Sequence, residues 1–284
     1  MGEPTVAAPR GRPRRRRRIG QYAVLTLAAV VVLMPVYVTL AFSLQSGASS
    51  LDFPSSLLPF PPELGVFREV LDVSNLGRYM LNSTVVAVAI TALQVVTSIL
   101  AGYAFAYLRF PARGAAFVAF LATLMVPGEV TIVANYDTVV SLGWRDSYPG
   151  LIIPFAATAM GTFLLRQAFL AVPQDLRDAA RLDGYGHWGF MWGVAVPLAR
   201  PAIAALSVFS FLMAWNQYLW PLLITDVDDL RTVQIGLKTL ATTNVDQLNL
   251  VFGGTVIASI PIFVLLVLFQ KQLVRGLTSG AVKG

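Results

Sequence analysis

The sequence predicts an all-α integral membrane protein, with six transmembrane helices and a short helix-turn-helix at one membrane surface. Three observations carry that prediction. The chain is 56% hydrophobic and 13% charged, against roughly 45–50% and about 25% in an ordinary soluble domain. Its apolar residues come in long uninterrupted blocks, which a bilayer demands and a soluble core does not. Lys and Arg are spread unevenly among the segments joining those blocks, as in a chain oriented by the membrane. The lack of any cysteine removes disulfides, thiolate catalysis, Cys-based zinc sites and iron–sulfur clusters from consideration.

About 20 apolar residues cross a hydrocarbon layer of roughly 30 Å. Such stretches occupy residues 19–43, 83–108, 115–135, 151–169, 202–224 and 250–269. They define a transmembrane domain over 19–269, preceded by a basic segment, 1–18, and followed by a tail, 270–284. The first stretch is too long for a signal-peptide core and no convincing small-residue cleavage site follows it, so a retained helix is expected. In the third, Pro127 and Gly128 should interrupt the helix and leave a local polar site at Glu129.

With the N-terminus placed in the cytoplasm, the cytoplasmic segments hold 16 Lys and Arg, counting Arg166 at the edge of the fourth block, and the opposite segments hold 5. Basic residues near span ends stay preferentially in the cytoplasm, so both termini are predicted to lie there. The net charge of +6 then has a local cause, since Arg10, Arg12 and the run Arg14 to Arg18 all precede the first span. That run reads as a topology anchor against anionic lipid; no nucleic-acid partner is expected.

A chain that powered transport itself would need a phosphate-binding loop of the form G-x-x-x-x-G-K-[ST]. Its lysines, Lys238, Lys271 and Lys283, follow Leu237, Gln270 and Val282, so no such loop exists. Metal or hydrolytic centres need clustered His, Asp or Glu, yet His187 is the sole histidine. No catalytic residue, metal site or cofactor is expected in this chain. Ionisable residues inside spans are costly in lipid and usually functional. Glu129 is the clear instance, and a single carboxylate is a thin basis for an ion-coupled secondary transporter.

The segment 170–201 is long, basic-side and patterned. Pro173 suits a first helical position and Asp175 places negative charge in the first turn. Leu176, Ala179, Ala180 and Asp183 fall at i, i+3, i+4 and i+7, giving one small apolar face that ends in a carboxylate. Gly184 sits where a left-handed cap is wanted, and Gly186 allows a sharp turn. A second helix should run from His187 to about Val196, closed by Pro197, with Trp188, Met191, Trp192 and Ala195 along one side. From physics alone, a partnerless amphipathic interfacial loop remains the alternative.

The run Asp178-Ala179-Ala180-Arg181-Leu182-Asp183-Gly184, followed by Pro197-Leu198 and Pro201, resembles the E-A-A-x-x-D-G…L-P-L-x-x-P loop of binding-protein-dependent ABC importer permeases. Asp178 replaces the usual Glu, Tyr185 stands where Ala is common, and Val196 replaces Leu. Further likeness to the carbohydrate-importer subfamily, on the side of the second permease subunit of the maltose and glycerol-3-phosphate systems, lies in Asn82-Ser83, Met125-Val126-Pro127-Gly128, Phe163-Leu164-Leu165-Arg166-Gln167, Trp215-Asn216-Gln217-Tyr218 with Pro221, and the tail from Gly276 to Gly284. The stretch through Trp215 to Pro221 leans toward glycerol-phosphate permeases.

The resemblance implies the type I ABC importer permease fold. It implies a coupling helix, with Asp178, Ala179, Ala180, Asp183, Gly184, Tyr185 and Gly186 at the docking surface. A second homologous permease, two cytoplasmic ATPase subunits that bind ATP and Mg, an extracytoplasmic substrate-binding protein and a bacterial plasma membrane are implied with it. Polar groups at membrane depth normally face a cavity or another helix, so Glu129, Asn135, Asn216 and Gln217 are candidates for a translocation path. Trp215, Tyr218 and Trp220 could stack on a sugar ring, although aromatics near span ends more often form an interfacial belt. Glycerol-3-phosphate or a glycerophosphodiester is the favoured cargo. Since no span carries a central Lys or Arg, a neutral sugar such as maltose or trehalose stays open.

Overall fold

A computed structural model describes residues 14–46, 57–244 and 246–278. The segment 1–13, with Arg10 and Arg12, and the last tail residues, 279–284, lie outside the described residues. In chain order the helices are α1 (Arg14–Ser43), α2 (Gly65–Val73), α3 (Leu76–Tyr107), α4 (Arg113–Ala122), α5 (Gly128–Ser141), α6 (Tyr148–Ile152), α7 (Ala159–Leu170), α8 (Gln174–Leu182), α9 (His187–Phe190), α10 (Val196–Leu198), α11 (Arg200–Trp215), α12 (Leu219–Ile224), α13 (Val233–Thr243) and α14 (Leu248–Thr278). The described residues contain no strand.

Three helices are each long and apolar enough to cross a bilayer: Gly20–Ser43 of α1, all of α3, and Leu248–Lys271 of α14. Three bent pairs meet the same requirement together: Arg113–Met125 with Gly128–Ser141 at 99°, Tyr148–Phe155 with Ala159–Leu170 at 48°, and His187–Leu198 with Arg200–Trp215 at 76°. The predicted break in the third block is present. Val126 adopts extended backbone, φ −85° and ψ 117°, as expected before a proline, and Pro127 then flanks α5.

The fifth block departs from its prediction as one helix over 202–224. α11 ends at Trp215, and residues 216–218 separate it from α12. Pro221 has no N–H to donate to the Gln217 carbonyl. The Asn216 side-chain amide donates to the Leu212 carbonyl at 2.8 Å, which also accepts from the Asn216 N–H at 3.2 Å.

α3 organises the molecule. Its 32 residues span about 48 Å at 1.5 Å per residue, and α7 and α11 pack along it. Gly102 lets α7 come close: a Cβ there would sit 3.0 Å from the Arg166 backbone nitrogen and 3.2 Å from Leu165 Cβ. Small residues permit such approaches between membrane helices. Val86, Ala87 and Ile90 of α3 enter one buried cluster with Trp215, Trp220, Ile224, Val233 and Leu250. Ile99, Tyr103, Ala106 and Tyr107 enter a second with Leu165, Phe169, Ala180, Phe190 and Met191. α3 therefore joins two cores, one toward each end of the molecule.

Candidate functional site

The segment 170–201 folds as the predicted helix-turn-helix, with differences in register. Pro173 lies one position before the first helical residue, at φ −55° and ψ 138°, and Asp175 occupies the first turn. Gly184 has φ +81°, its N–H donates to the Arg181 carbonyl at 3.1 Å, and the Tyr185 N–H donates to the Ala180 carbonyl at 2.9 Å. These two bonds form a Schellman cap, which closes a helix through a residue of positive φ. Gly186 has φ −76° and ψ 179°, extended backbone open to any residue, so it makes no glycine-dependent turn.

Of the face predicted to carry Leu176, Ala179, Ala180 and Asp183, the structure turns Ala180 inward, buried within the second cluster. Leu176, Ala179 and Asp183 are exposed, as are Asp178, Tyr185 and Gly186, and Leu182 is 90% exposed. Asp178 Oδ1 lies 3.6 Å from Arg181 Nη1, a solvent-facing pair of small energetic weight. Tyr185 rests on Gly189 and Gly193, where an added Cβ would meet its ring at 3.0 and 3.2 Å. This glycine shelf accommodates the bulk that replaces the usual Ala.

The second helix is α9 continued by a π-helical turn, Met191–Ala195, and α10, so the chain stays helical through Pro197 to Leu198. Met191 and Ala195 are buried while Trp188 and Trp192 are exposed; the four residues divide between two faces. The hairpin is fastened to α3 at three points. The Tyr103 hydroxyl donates to the His187 carbonyl at 3.0 Å, the Arg177 guanidinium lies 5.1 Å from the Tyr107 ring centre, and the Tyr107 ring meets Phe190 edge-on at 5.4 Å.

The candidates for a translocation path lie on α5, at the end of α11 and in the break that follows it. Glu129 is exposed in the first turn of α5, where a carboxylate is favourable to the helix dipole, and Asn135 is half-buried one helical stretch further on. Trp215 is 1% exposed, stacked on Phe211 at 5.6 Å. It belongs to the first buried cluster, with Val86 and Ile90 of α3 and Leu250 of α14. Trp220 is also buried and donates to the Gly150 carbonyl at 3.1 Å. Asn216 and Tyr218 remain exposed and Gln217 half-buried at the break after α11, with Asn216 Oδ1 accepting from Gln234 Nε2 at 3.3 Å.

Sequence reasoning missed the lock at the opposite end of α3. Asn82, fully buried, donates from Nδ2 to the Asp229 carbonyl at 2.8 Å and the Arg231 carbonyl at 2.9 Å. Its Oδ1 accepts from the Tyr148 hydroxyl at 2.9 Å. Ser83 Oγ accepts from the Val233 N–H at 2.8 Å, supplying from α3 a cap for the first turn of α13. Asp228 accepts from the Tyr79 hydroxyl at 2.7 Å and the Asn75 amide at 2.6 Å, and Arg231 lies 3.4 Å away. The hydrogen bond from Tyr79, then that from Asn75, hold the Asp228 carboxyl below the usual carboxylate range. On the other flank Asp146 Oδ1 accepts from the Val227 N–H at 3.0 Å, and Arg145 pairs with Asp226. The Asn82-Ser83 motif was the available signal, but its partners lie 66 to 150 residues further along the chain.

Comparison with known proteins places this geometry among transport components. Residues 94–279 match the family model described as "Binding-protein-dependent transport system inner membrane component". A permease protein of an sn-glycerol-3-phosphate transport system from Yersinia pestis is 36% identical over 264 residues, 90% of this chain and 94% of that protein. Its counterpart from Agrobacterium fabrum is 38% identical over 270 residues, 92% and 95% of the two chains. Among solved structures, a chain of a bacterial ABC transporter that imports the acidic polysaccharide alginate superposes with TM-score 0.79 at 23% identity, covering 93% of this chain and 99% of that one.

Proposed function

Because the chain belongs to the family of binding-protein-dependent transport system inner membrane components, we propose that it forms half of the translocation path of an ATP-driven importer whose cargo is sn-glycerol-3-phosphate or a glycerophosphodiester. The observation that carries the cargo is the shared name of relatives at 36–38% identity over at least 90% of the chain. The chain is a transport subunit of the inner membrane, with no enzymatic role. A second permease completes the path, two ATPases hold ATP and Mg, and a binding protein delivers the cargo at the end of the lock around Asn82. The hairpin end is cytoplasmic in this reading, supported by the 16 to 5 division of basic residues.

Force from the ATPases would enter at the exposed side of the α8–α9 hairpin, at Asp178, Ala179, Leu182 and Asp183. Ala180, Phe190 and Met191 share one buried cluster with Tyr103 and Tyr107, so a push on the hairpin is carried into α3 rather than absorbed in a loop. α3 is unbroken from that cluster to Asn82, which supports its moving as one rod and altering the two ends together.

A neutral sugar is the second reading. Arg166 lies in the fourth apolar block, 151–169, and its guanidinium lies 4.2 Å from the Phe117 ring centre with Nε donating to the Phe105 carbonyl; it is engaged in packing α4 and α7. The assembled complex in vesicles, loaded with its binding protein, separates the readings. ATP hydrolysis stimulated by glycerol-3-phosphate or glycerophosphodiesters supports the phosphate cargo, and stimulation by maltose or trehalose alone replaces it.

A further inference from the structure

Between the end of α3 and the α8–α9 hairpin lies an open cleft of about 550 Å³. Arg109, Arg177, Arg181 and His187 line it together with the rings of Tyr107 and Phe110, and no carboxylate among the described residues does. Arg109 has no ion-pair partner among the described residues. Among the described residues Arg177 has only the Tyr107 ring beneath it, and Arg181 is shared with Asp178. The Leu108 carbonyl, an acceptor that would repel an anion, is covered by Arg113 Nη1 at 3.0 Å. Guanidinium groups with unused donors recognise phosphate oxygens in pairs.

A second, smaller groove of about 170 Å³ adjoins the first and shares Leu108 and His187 with it. Leu100, Tyr103, Trp188 and Met191 complete its almost wholly apolar wall. Both openings lie where the span Leu76–Tyr107 ends, and Trp188 is 66% exposed beside them, at the level where aromatics meet a membrane surface.

We propose that the cleft binds the phosphate group of an anionic phospholipid, with part of an acyl chain in the apolar groove. A soluble phosphate would use only the cationic half, and an acidic surface of a partner subunit would leave the apolar half unfilled. An amphiphile with an anionic head uses both. Basic pockets at the ends of transmembrane helices commonly hold such headgroups. The bound lipid would sit against Arg177 and Arg181 of α8, and so brace the hairpin against α3.

The test is retention of phosphatidylglycerol. The chain, assembled with its partner subunits, is extracted from vesicles of phosphatidylcholine and phosphatidylglycerol in equal parts, and the lipid remaining on the complex is quantified by mass spectrometry. Wild type retains phosphatidylglycerol selectively; Arg109→Gln and Arg177→Gln each lower retention about tenfold, the worth of one charge-assisted hydrogen bond, and Arg109→Lys keeps most of it. Arg109 holds no other described side chain, so Arg109→Gln leaves folding intact. Equal retention by all variants overturns the proposal. Displacement by inorganic phosphate or by deacylated glycerophosphoglycerol as readily as by intact lipid overturns it in favour of a soluble anion. Loss of the ATPase from Arg109→Gln with lipid retention unchanged overturns it in favour of an acidic protein surface.

Discussion

Gly184 is the residue at which local conformation and proposed coupling meet. Its φ of +81° is one that a β-branched side chain resists, while the space around its absent Cβ is open within 4 Å. The penalty is therefore one of backbone alone. Gly184→Val should cost about 1–2 kcal/mol locally and misdirect the hairpin, whereas Gly184→Asn, which tolerates the left-handed region, should keep uptake near wild type. Uptake assays of the two variants side by side check this, and equal loss in both would point to contact rather than conformation. At Trp215 the prediction concerns packing. Its Nε1 has no hydrogen-bond partner among the described residues, so Trp215→Phe loses only buried ring volume, should cost less than removal of the whole side chain, and should leave uptake intact. Trp215→Ala should cost about 3–5 kcal/mol, seen in thermal unfolding of the purified complex. A Phe variant that is stable but transport-dead would put Trp215 back on the path. Asp228 supplies a pH dependence. Its lowered pKa means that its contribution to the lock is fully present above the ordinary carboxylate value, about 3.9, and is lost as pH falls through the lowered one. Proteolytic cleavage within 225–232 should rise only below about pH 4, and Asp228→Asn should remove that step.

At the scale of elements, what was legible in the sequence follows from the range of the forces involved. The six blocks are legible because a bilayer demands about 20 apolar residues in succession, and the Schellman cap is legible because it is built within six residues. The break after Trp215 was hidden inside a continuous apolar run, where Pro221 alone opposed a single helix. α2 and α13 were missed for another reason. Each is short, and each is stabilised by burial of a few residues, such as Val66 and Val70 against Gly253, that lie far away in the chain. The burial of Trp215 was not legible for the same reason, since sequence gives neighbours along the chain but not depth. The lock at the N-terminal end of α3 has the same character, since Asn82 finds its carbonyl partners at Asp229 and Arg231. Asn82→Ala would leave those acceptors and the Tyr148 hydroxyl without their partner, at about 1–3 kcal/mol for a buried group. Protection of the 225–232 amides from hydrogen exchange should fall while α8 and α9 keep theirs. Equal loosening at both ends would show that α3 itself had been disrupted.

In the proposed function the whole molecule, with no motor of its own, receives motion at one end and delivers it at the other. The two buried clusters and the unbroken α3 between them give that proposal its mechanical content, with the hairpin as the proposed point of entry. The absence of cysteine makes the most direct measurement simple. Leu182, 90% exposed at the end of α8, is replaced by Cys, and the assembled transporter is treated with a short bifunctional reagent in membranes. Leu182→Cys should cross-link to the ATPase subunit and stay unlabelled by an impermeant thiol reagent applied outside intact cells. Labelling from outside, or a cross-link to the binding protein in place of the ATPase, would contradict both the orientation and the coupling role assigned to the hairpin.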